Sequence, residues 1–564
     1  MLSEEKNNLV KMYENSFRQN WELPALTDWG TTNTLSYGEL ATQIARLHVL
    51  FERVGLQKDD KVSLMGKNTC NWCTVYLATV TYGAIIVPIL QDFKPDDAVH
   101  IINHSESKLL FIHDSIWDGL ELEQMPQIVG VWSLTNYKTL AGRIDNELLS
   151  WEQAGEALKA RYPKGYNRDD VRYDERDNSC VASINYTSGT TGFSKGVVTP
   201  ANALAGNIRF AIDAKLFYRE CRQVAFLPLA HSYGCAIDFL TTLVAGGHIY
   251  LIGRTPAPKI LLKAFQEVKP TTILSVPLVL EKIYRKQIVP QISKPPVSWV
   301  LKVPYLDEIV LNKIRQSLVD ALGGEFSMMI IGGAPLNSEV EAFLHKIKFP
   351  LAVGYGMTEC APLISFTPCF GDKYGTNGCS YRPYSCGQPM KGQMEAKIDN
   401  PNAEGIGEIL VRGEHTMYGY YKNEEATRQA FTEDGWLRTG DLGLIDEDGY
   451  IFIKGRNKTM LLGANGQNIY PEEIESKLNN MPYVMESLVI QEGDSLVALV
   501  YPDLENIDAS HLTPDQVEAY MEENRKNLNR QIASYEQISK IRLYPHEFEK
   551  TPKKSIKRFL YTHC

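Results

Sequence analysis

The chain is short of the features that usually give a quick reading. Across 564 residues no apolar run approaches the roughly 20 needed to span a bilayer; the longest lies around Ala84 to Leu90. The opening residues, Met1-Leu-Ser-Glu-Glu-Lys-Asn-Asn, contain no apolar stretch of signal-peptide length. A cytoplasmic chain is therefore expected. Peripheral contact with a membrane stays open, although no basic amphipathic anchor is evident. Positive charge is in deficit: the formal net charge is −10, which argues against broad nucleic-acid binding. The ten cysteines are scattered. Cys70-Asn-Trp-Cys73 has the C-x-x-C spacing but no second pair, and Cys379 and Cys386 have no spaced histidines, so the spacing argues against a metal site at either. Asn71 to Val80 reads instead as a buried helix in which the two cysteines act as small hydrophobes. G-x-x-x-x-G-K-[ST] is also missing, which disfavours a kinase built on that loop. There are no repeats or low-complexity tracts.

What is present fits a multidomain globular protein, 44% hydrophobic and 22% charged. Up to about residue 397, strands and helices alternate at α/β spacing. Lys61–Met65, Ala84–Ile89 and Leu109–Ile112 read as strands, with helices over Glu39–Val54 and Cys70–Tyr82. The alternation resumes with strands at Val224–Leu227, His248–Ile252, Thr272–Val276 and Met328–Ile331. Their helices are expected at Ala236–Val244, Ala257–Val268, Leu278–Gln287 and Ser338–Ile347. This predicts two doubly wound α/β subdomains with largely parallel sheets. From about 398 to 457 short strands and a turn at Glu447-Asp-Gly449 predict a β-rich subdomain. The remainder, to Cys564, reads as a compact α+β unit.

One loop stands apart: Tyr186-Thr-Ser-Gly-Thr-Thr-Gly-Phe-Ser-Lys195-Gly196. It is rich in hydroxyls and backbone N–H groups and carries one cation, the partners a polyphosphate needs. The plain alternative is a flexible Ser/Gly/Thr surface loop. Flanking runs, Val181–Thr187 and Val197–Val198, are strand-like, and a helix is expected from Thr199 as N-cap with Pro200 at its first position.

Other motifs follow along the chain: Leu227-Pro-Leu-Ala-His231-Ser-Tyr-Gly234, Gly332-Gly-Ala-Pro335, Gly354-Tyr-Gly-Met-Thr-Glu359, Thr439-Gly-Asp441 and Gly455-Arg456. In order and approximate spacing, over residues 30 to 560, they resemble the adenylate-forming superfamily of acyl-CoA synthetases, peptide-synthetase adenylation domains and firefly-type luciferases. The resemblance implies ATP, Mg²⁺ and, as cosubstrate, CoA. It implies that Thr187, Ser188, Gly189, Thr190, Thr191, Gly192 and Lys195 hold the β- and γ-phosphates. Thr358 would contact the α-phosphate, and Glu359 would hold Mg²⁺. Tyr355 and Gly356 would lie by the adenine, with Gly333, Ala334 and Pro335 walling its pocket. Asp441 and Arg456 would bind the ribose, and His231 would orient the acid or gate its route. It further implies a core of residues 1–457 and a mobile domain of 458–564 hinged at Lys458, with Gly463 and Gly466 lining the pantetheine channel.

The family's catalytic lysine sits near the C-terminus. Here the text is Thr551-Pro-Lys553-Lys554-Ser555-Ile556-Lys557-Arg558, and ungapped alignment places Ser555 at the lysine position. Lys554 is the first choice for that role, Lys553 and Lys557 the next, and a non-catalytic basic tail the alternative. Leu227–His231, Ser275-Val-Pro277 with Leu280–Tyr284, and Thr551-Pro most resemble long-chain fatty acid–CoA ligases. Only Asp238 is acidic between His231 and Phe239, in an expected core helix, which disfavours an amino acid substrate. The reading is an AMP-forming ligase for a medium- to long-chain fatty acid, with small-molecule substrates, no nucleic-acid partner, and membrane contact and oligomeric state left open. Transfer to an acyl carrier protein, or a catalytically impaired nucleotide- or acyl-binding protein, are the alternatives.

Overall fold

Five largely apolar strands lie parallel in the order Val181–Thr187, Ile85–Ile89, Lys61–Met65, Ser107–Ile112 and Gly130–Ser133. Antiparallel strands close the two edges: Lys195–Pro200 and then Gly419–Tyr420 on one side, Thr139–Gly142 on the other. Side-chain alternation divides the sheet into two cores. Val62, Leu64, Leu109 and Phe111 pack with the helices Tyr37–Arg53 and Cys70–Tyr82. Met65, Val87, Leu110 and Ile112 pack with the helix Pro95–Ser105. The helix Tyr37–Arg53 starts on a capping box in which Ser36 and Glu39 satisfy each other's backbone N–H. Cys70 and Cys73 are free and buried on the Cys70–Tyr82 helix, and burial raises both thiols. The computed structural model describes residues 8–187, 194–253, 257–292, 295, 306–367, 382–462, 468–493, 495–551 and 556–561.

The second α/β unit also uses the N-terminal chain. Pro24–Asp28, not foreseen as a strand, lies parallel to His248–Leu251, with Leu26 opposite Ile249, and His248–Leu251 pairs in turn with Arg222–Ala225. A further sheet holds Thr272–Ser275, Met328–Ile331 and Leu351–Gly356 in parallel, then Leu363–Phe366 and Gln388–Pro389 antiparallel. Thr271 links the two sheets edge to edge: its N–H donates to Arg222 O at 2.9 Å and its carbonyl accepts from Ser327 N–H at 2.9 Å.

The expected β-rich subdomain is a four-stranded antiparallel sheet of Met394–Asp399, Gly407–Gly413, Leu437–Ile445 and Ile451–Arg456. Gly449 takes a left-handed conformation, φ 84°, in the turn before the last strand. The C-terminal unit pairs Val484–Glu492 with Ser495–Pro502 and the latter with Ile538–Leu543. The helices Pro471–Leu478 and Pro514–Asn529 cover this sheet through Ile474, Leu478, Val517, Met521 and Leu528. Among the described residues, no helix is long and apolar enough to cross a membrane.

Three expectations about helices need correction. Thr199 and Pro200 belong to the strand Lys195–Pro200, with Ser183 opposite Thr199, and the helix begins at Ala201 with Pro200 as its cap. The ladder claims these residues before the helix can. The helix expected over Ala236–Val244 is a π-helical segment, Gly234–Thr241, continued by Thr242–Ala245; the helix expected over Leu278–Gln287 likewise becomes π-helical at Tyr284–Ile288. In the first segment the Thr241 hydroxyl donates five residues back, to Ala236 O at 2.8 Å.

Asp238 lies in that segment with no exposed surface. Gln223 Nε2 donates to its Oδ1. Asp238 Oδ2 and Gln223 Oε1 are buried and have no other partner among the described residues. Two orphaned acceptors on side chains that already share a hydrogen bond are the pattern of an acid–amide pair whose carboxyl carries a proton. Burial pushes this carboxyl up to about 8, and Gln223 pulls it back only in part. The unfolded chain gives up this proton near pH 4, so its burial costs stability progressively as pH rises from there to about 8. Asp238→Asn retains the shape and the pairing. The variant is expected to gain stability over the parent between pH 5 and 8, by at most about 1.4 kcal/mol per pH unit. Thermal midpoints across that range check the sign.

Candidate active site

Parallel strands present their carboxyl ends on one side, where α/β folds bind ligands. Here the ends of Thr272–Ser275, Met328–Ile331 and Leu351–Gly356 open into the turns Gly332–Pro335 and Met357–Glu359. Gly332 N–H donates to Ser275 O at 3.2 Å, and Gly333 has φ 84°, so the turn leaves the strand by a left-handed step that glycine makes cheaply. Gly333, Ala334 and Pro335 are exposed. Gly356 is required for space: a Cβ there would come within 2.1 Å of Pro362 O, the atom that accepts Met357 N–H at 2.9 Å.

The turn bearing His231 docks on the first of these turns. Tyr233, two residues on, donates its hydroxyl to Ile330 O at 3.2 Å, and its ring faces Gly332, where a Cβ would stand 3.1 Å from the ring. His231 Nδ1 accepts Tyr233 N–H at 3.3 Å, which places the ring proton on Nε2. Asn68, which no sequence motif singled out, clamps the segment before it. Its Nδ2 donates to Leu227 O at 2.8 Å and its Oδ1 accepts Leu229 N–H at 3.0 Å.

Asp441 is 5% exposed and has a donor on each carboxylate oxygen. Tyr355 Oη donates to Oδ2 at 2.7 Å, and Arg456 Nε meets Oδ1 at 3.1 Å. Asp441 and Arg456 are direct cross-strand partners, so sheet register sets their distance. Burial raises the Asp441 carboxyl, while Arg456 and then Tyr355 oppose the rise. Thr439 holds the turn, accepting Asp441 N–H at 3.0 Å and donating to Ile409 O at 2.7 Å.

Thr358 is buried and Glu359 half-buried in one 3₁₀ turn, Thr358–Cys360. The Glu359 carbonyl accepts Met417 N–H at 2.8 Å, and its carboxylate accepts the Tyr420 hydroxyl at 3.0 Å. Lys195 Nζ stands 4.7 Å from the centroid of the same tyrosine ring. Thr187 and Lys195 are register partners at the mouth of the phosphate-type loop, with Thr187 Oγ1 3.4 Å from Lys195 O. Ser188, Gly189, Thr190, Thr191, Gly192, Gly463, Gly466, Lys553, Lys554 and Ser555 lie outside the described residues.

Around Lys458, which is exposed, Thr459 and Met460 N–H both return to Arg456 O, at 3.1 and 3.0 Å. Thr459 Oγ1 donates to Glu472 at 2.6 Å. Across the C-terminal unit Arg558 grips Glu475 with two guanidinium nitrogens and stands 3.7 Å from Glu472. Polar contacts join this unit to the rest: Asn337 with Asn480 at 2.6 Å, Arg285 with Asn479 O, and Lys454 with Glu473 at 3.2 Å.

The structure thus brings Thr358, Glu359, Tyr355 and Asp441 to one end of the second unit, with Lys195 joined to Glu359 through Tyr420. Residues 13–421 match the family described as AMP-binding enzyme. The chain belongs to that family, within the adenylate-forming superfamily. It is 27% identical over 576 residues to the long-chain-fatty-acid–CoA ligase FadD15 of Mycobacterium bovis, covering 94% of this chain and 90% of that one. It is 29% identical over 500 residues to the putative acyl-CoA synthetase YngI of Bacillus subtilis, covering 83% and 82%. The crystal structure of ATP-bound MatB from Rhodopseudomonas palustris has the same fold, with a TM-score of 0.75 at 23% identity and coverage of 99% and 98%.

Tyr355→Phe leaves a buried carboxylate oxygen without its donor. The expected cost is about 1–3 kcal/mol, read as a lower thermal midpoint than the parent at neutral pH. An unchanged midpoint would remove Tyr355 as a support of Asp441.

Proposed function

We propose that the protein activates a medium- to long-chain fatty acid with ATP and passes the acyl group to CoA. The observation that carries this reading is the convergence of Asp441 and Tyr355 with Thr358 and Glu359 at the strand ends, beside Lys195. The names of the similar ligases support the substrate class. Asp238, the one acid between His231 and Phe239 in the sequence, is buried against Gln223 and is no partner for an amine.

In the first step a fatty carboxylate oxygen attacks the α-phosphorus of ATP, the bond to the β-phosphate oxygen breaks, and pyrophosphate leaves. Positioning and charge neutralisation supply most of such catalysis. Lys195 and the loop from Thr187 to Gly192 would hold the departing phosphates. Thr358 would fix the α-phosphate, and Asp441 with Arg456 the ribose. Adenine would lie along Gly333, Ala334, Pro335 and Gly356, with Tyr355 beneath. His231, with its proton on Nε2, would orient the acid. No three metal-capable side chains gather among the described residues. A lone half-buried carboxylate nevertheless fits Mg²⁺, which takes one or two protein carboxylates and completes its shell with water and phosphate. Glu359 would hold it, and it would neutralise phosphate charge.

In the second step the CoA sulfur attacks the acyl carbon, the thiol proton departs, and the carbon–oxygen bond to AMP breaks. We assign 1–457 to the core and 458–564 to a domain that turns about Lys458, so that Gly463 and Gly466 line the thiol's channel. The polar character of the Asn337–Asn480 and Arg285–Asn479 contacts supports such motion. Lys554 is assigned to adenylation; the Lys550–Ile556 bridge and the Arg558–Glu475 pair hold the chain on either side of it.

Acids of increasing length, assayed for AMP release with CoA, are expected to give their highest kcat/KM at medium to long chains. A flat profile, or a peak at short dicarboxylic or aromatic acids, overturns the substrate class. Lys554→Ala is expected to lower adenylation by at least about 100-fold, in the range of a lost electrostatic contact. Thioester formation from supplied acyl-AMP should survive. If Lys553→Ala or Lys557→Ala shows that split instead, the role moves to that residue.

A further inference from the structure

Two neighbouring tyrosines on the short edge strand Gly419–Tyr420 and its continuation point to opposite sides, as alternation along an extended chain requires. Tyr420 faces the candidate active site, donating to Glu359 at 3.0 Å and lying 4.7 Å beneath Lys195 Nζ. Tyr421 faces away. Its hydroxyl donates to Glu106 at 2.8 Å, Lys422 pairs with the same carboxylate at 2.8 Å, and Lys61 lies over its ring. The backbone of the segment is tied to both catalytic elements. Met417 N–H donates to Glu359 O at 2.8 Å, and Tyr421 N–H donates to Gly196 O at 2.7 Å, next to Lys195.

Glu359 lies in a 3₁₀ turn of the second unit, Lys195 opens a strand of the first sheet, and the two are far apart in sequence. Each must reach the same polyphosphate, one through a cation and one directly. Tyr420 touches both side chains. Its hydroxyl turns the Glu359 carboxylate, and its ring offers Lys195 a negative face that restrains the ammonium without neutralising it.

We propose that Tyr420 is a positioning residue that sets the Glu359 carboxylate and the Lys195 ammonium in register for a metal-bound polyphosphate, and that Tyr421 with Glu106 anchors the strap that carries it. This rests on the assignment of Glu359 and Lys195 to ATP, and it is independent of the acid. The hydroxyl and the ring serve separable ends. Tyr420→Phe removes only the bond to Glu359. Tyr420→Leu removes the ring from Lys195 as well.

The test measures equilibrium binding of a non-hydrolysable ATP analogue to the full chain by calorimetry, with and without Mg²⁺, beside pyrophosphate exchange as a function of Mg²⁺. In Tyr420→Phe the Mg²⁺ concentration for half-maximal exchange is expected to rise by about 10-fold, the lower end for losing a group that orients a metal-holding carboxylate. The metal-free affinity of the analogue should be unchanged. Tyr420→Leu is expected to weaken metal-free binding too. Tyr420→Phe added to Glu359→Gln should have no further effect on the metal response. Tyr421→Phe, which loses the bond to Glu106 and so loosens the strap, should raise the same Mg²⁺ concentration, but by less than Tyr420→Phe. A Tyr420→Phe protein with the parent's metal response overturns the proposal, as does a parent whose analogue binding ignores Mg²⁺. A parent that binds metal and analogue together yet activates no fatty acid overturns the substrate assignment and leaves this one standing.

Discussion

A buried carboxylate holds the candidate-site end of this fold together. Asp441 sits in the β-rich subdomain with almost no solvent access, and an ion so placed is tolerated only if donors surround it. One donor, Tyr355, comes from the end of a parallel strand in the second α/β unit; the other, Arg456, comes from the adjacent strand of the subdomain's own sheet. The three groups fix how the subdomain docks, and through Arg456 they reach the turn at Lys458. Docking, the geometry of the candidate site and the path to the C-terminal unit therefore share a single constraint.

The same economy recurs in the segment from Met417 to Tyr421. It closes the edge of the first sheet and is tied to the second unit through Met417 N–H and Glu359 O. A short strand of two residues contributes little to sheet stability by itself. Its worth lies in where its side chains fall, Tyr420 towards Glu359 and Tyr421 towards Glu106.

Much of this was legible in the sequence, for identifiable reasons. The parallel strands are apolar runs of the right length, and the turns that follow them are glycine-rich because backbone must pass close to backbone, as at Gly356. What was not legible depends on long-range pairing. Pro24–Asp28 carries no strong strand pattern and becomes a strand between two partners, Thr34–Ser36 close by and His248–Leu251 far along the chain. Asn68 and Tyr420 lie outside any recognisable motif, and their importance arises from what the fold sets beside them. The π-helical Gly234–Thr241 has the apolar composition of an ordinary helix; the Thr241 hydroxyl bonding five residues back and the buried Asp238 distinguish it only once its neighbours are known.

The strand Pro24–Asp28 also carries a consequence for how the chain is made. It emerges from the ribosome early, yet its parallel partner, with Ile249 opposite Leu26, is synthesised more than two hundred residues later. Until then the strand is laddered on one side only, to Thr34–Ser36, and its other edge stays open, where open strand edges invite pairing with other chains. The first α/β unit can assemble around its own five strands during that interval, but its N-terminal segment stays committed elsewhere. The two units are separate as layers and inseparable as folding events, so a fragment ending before His248 would expose the very edge that the whole chain conceals.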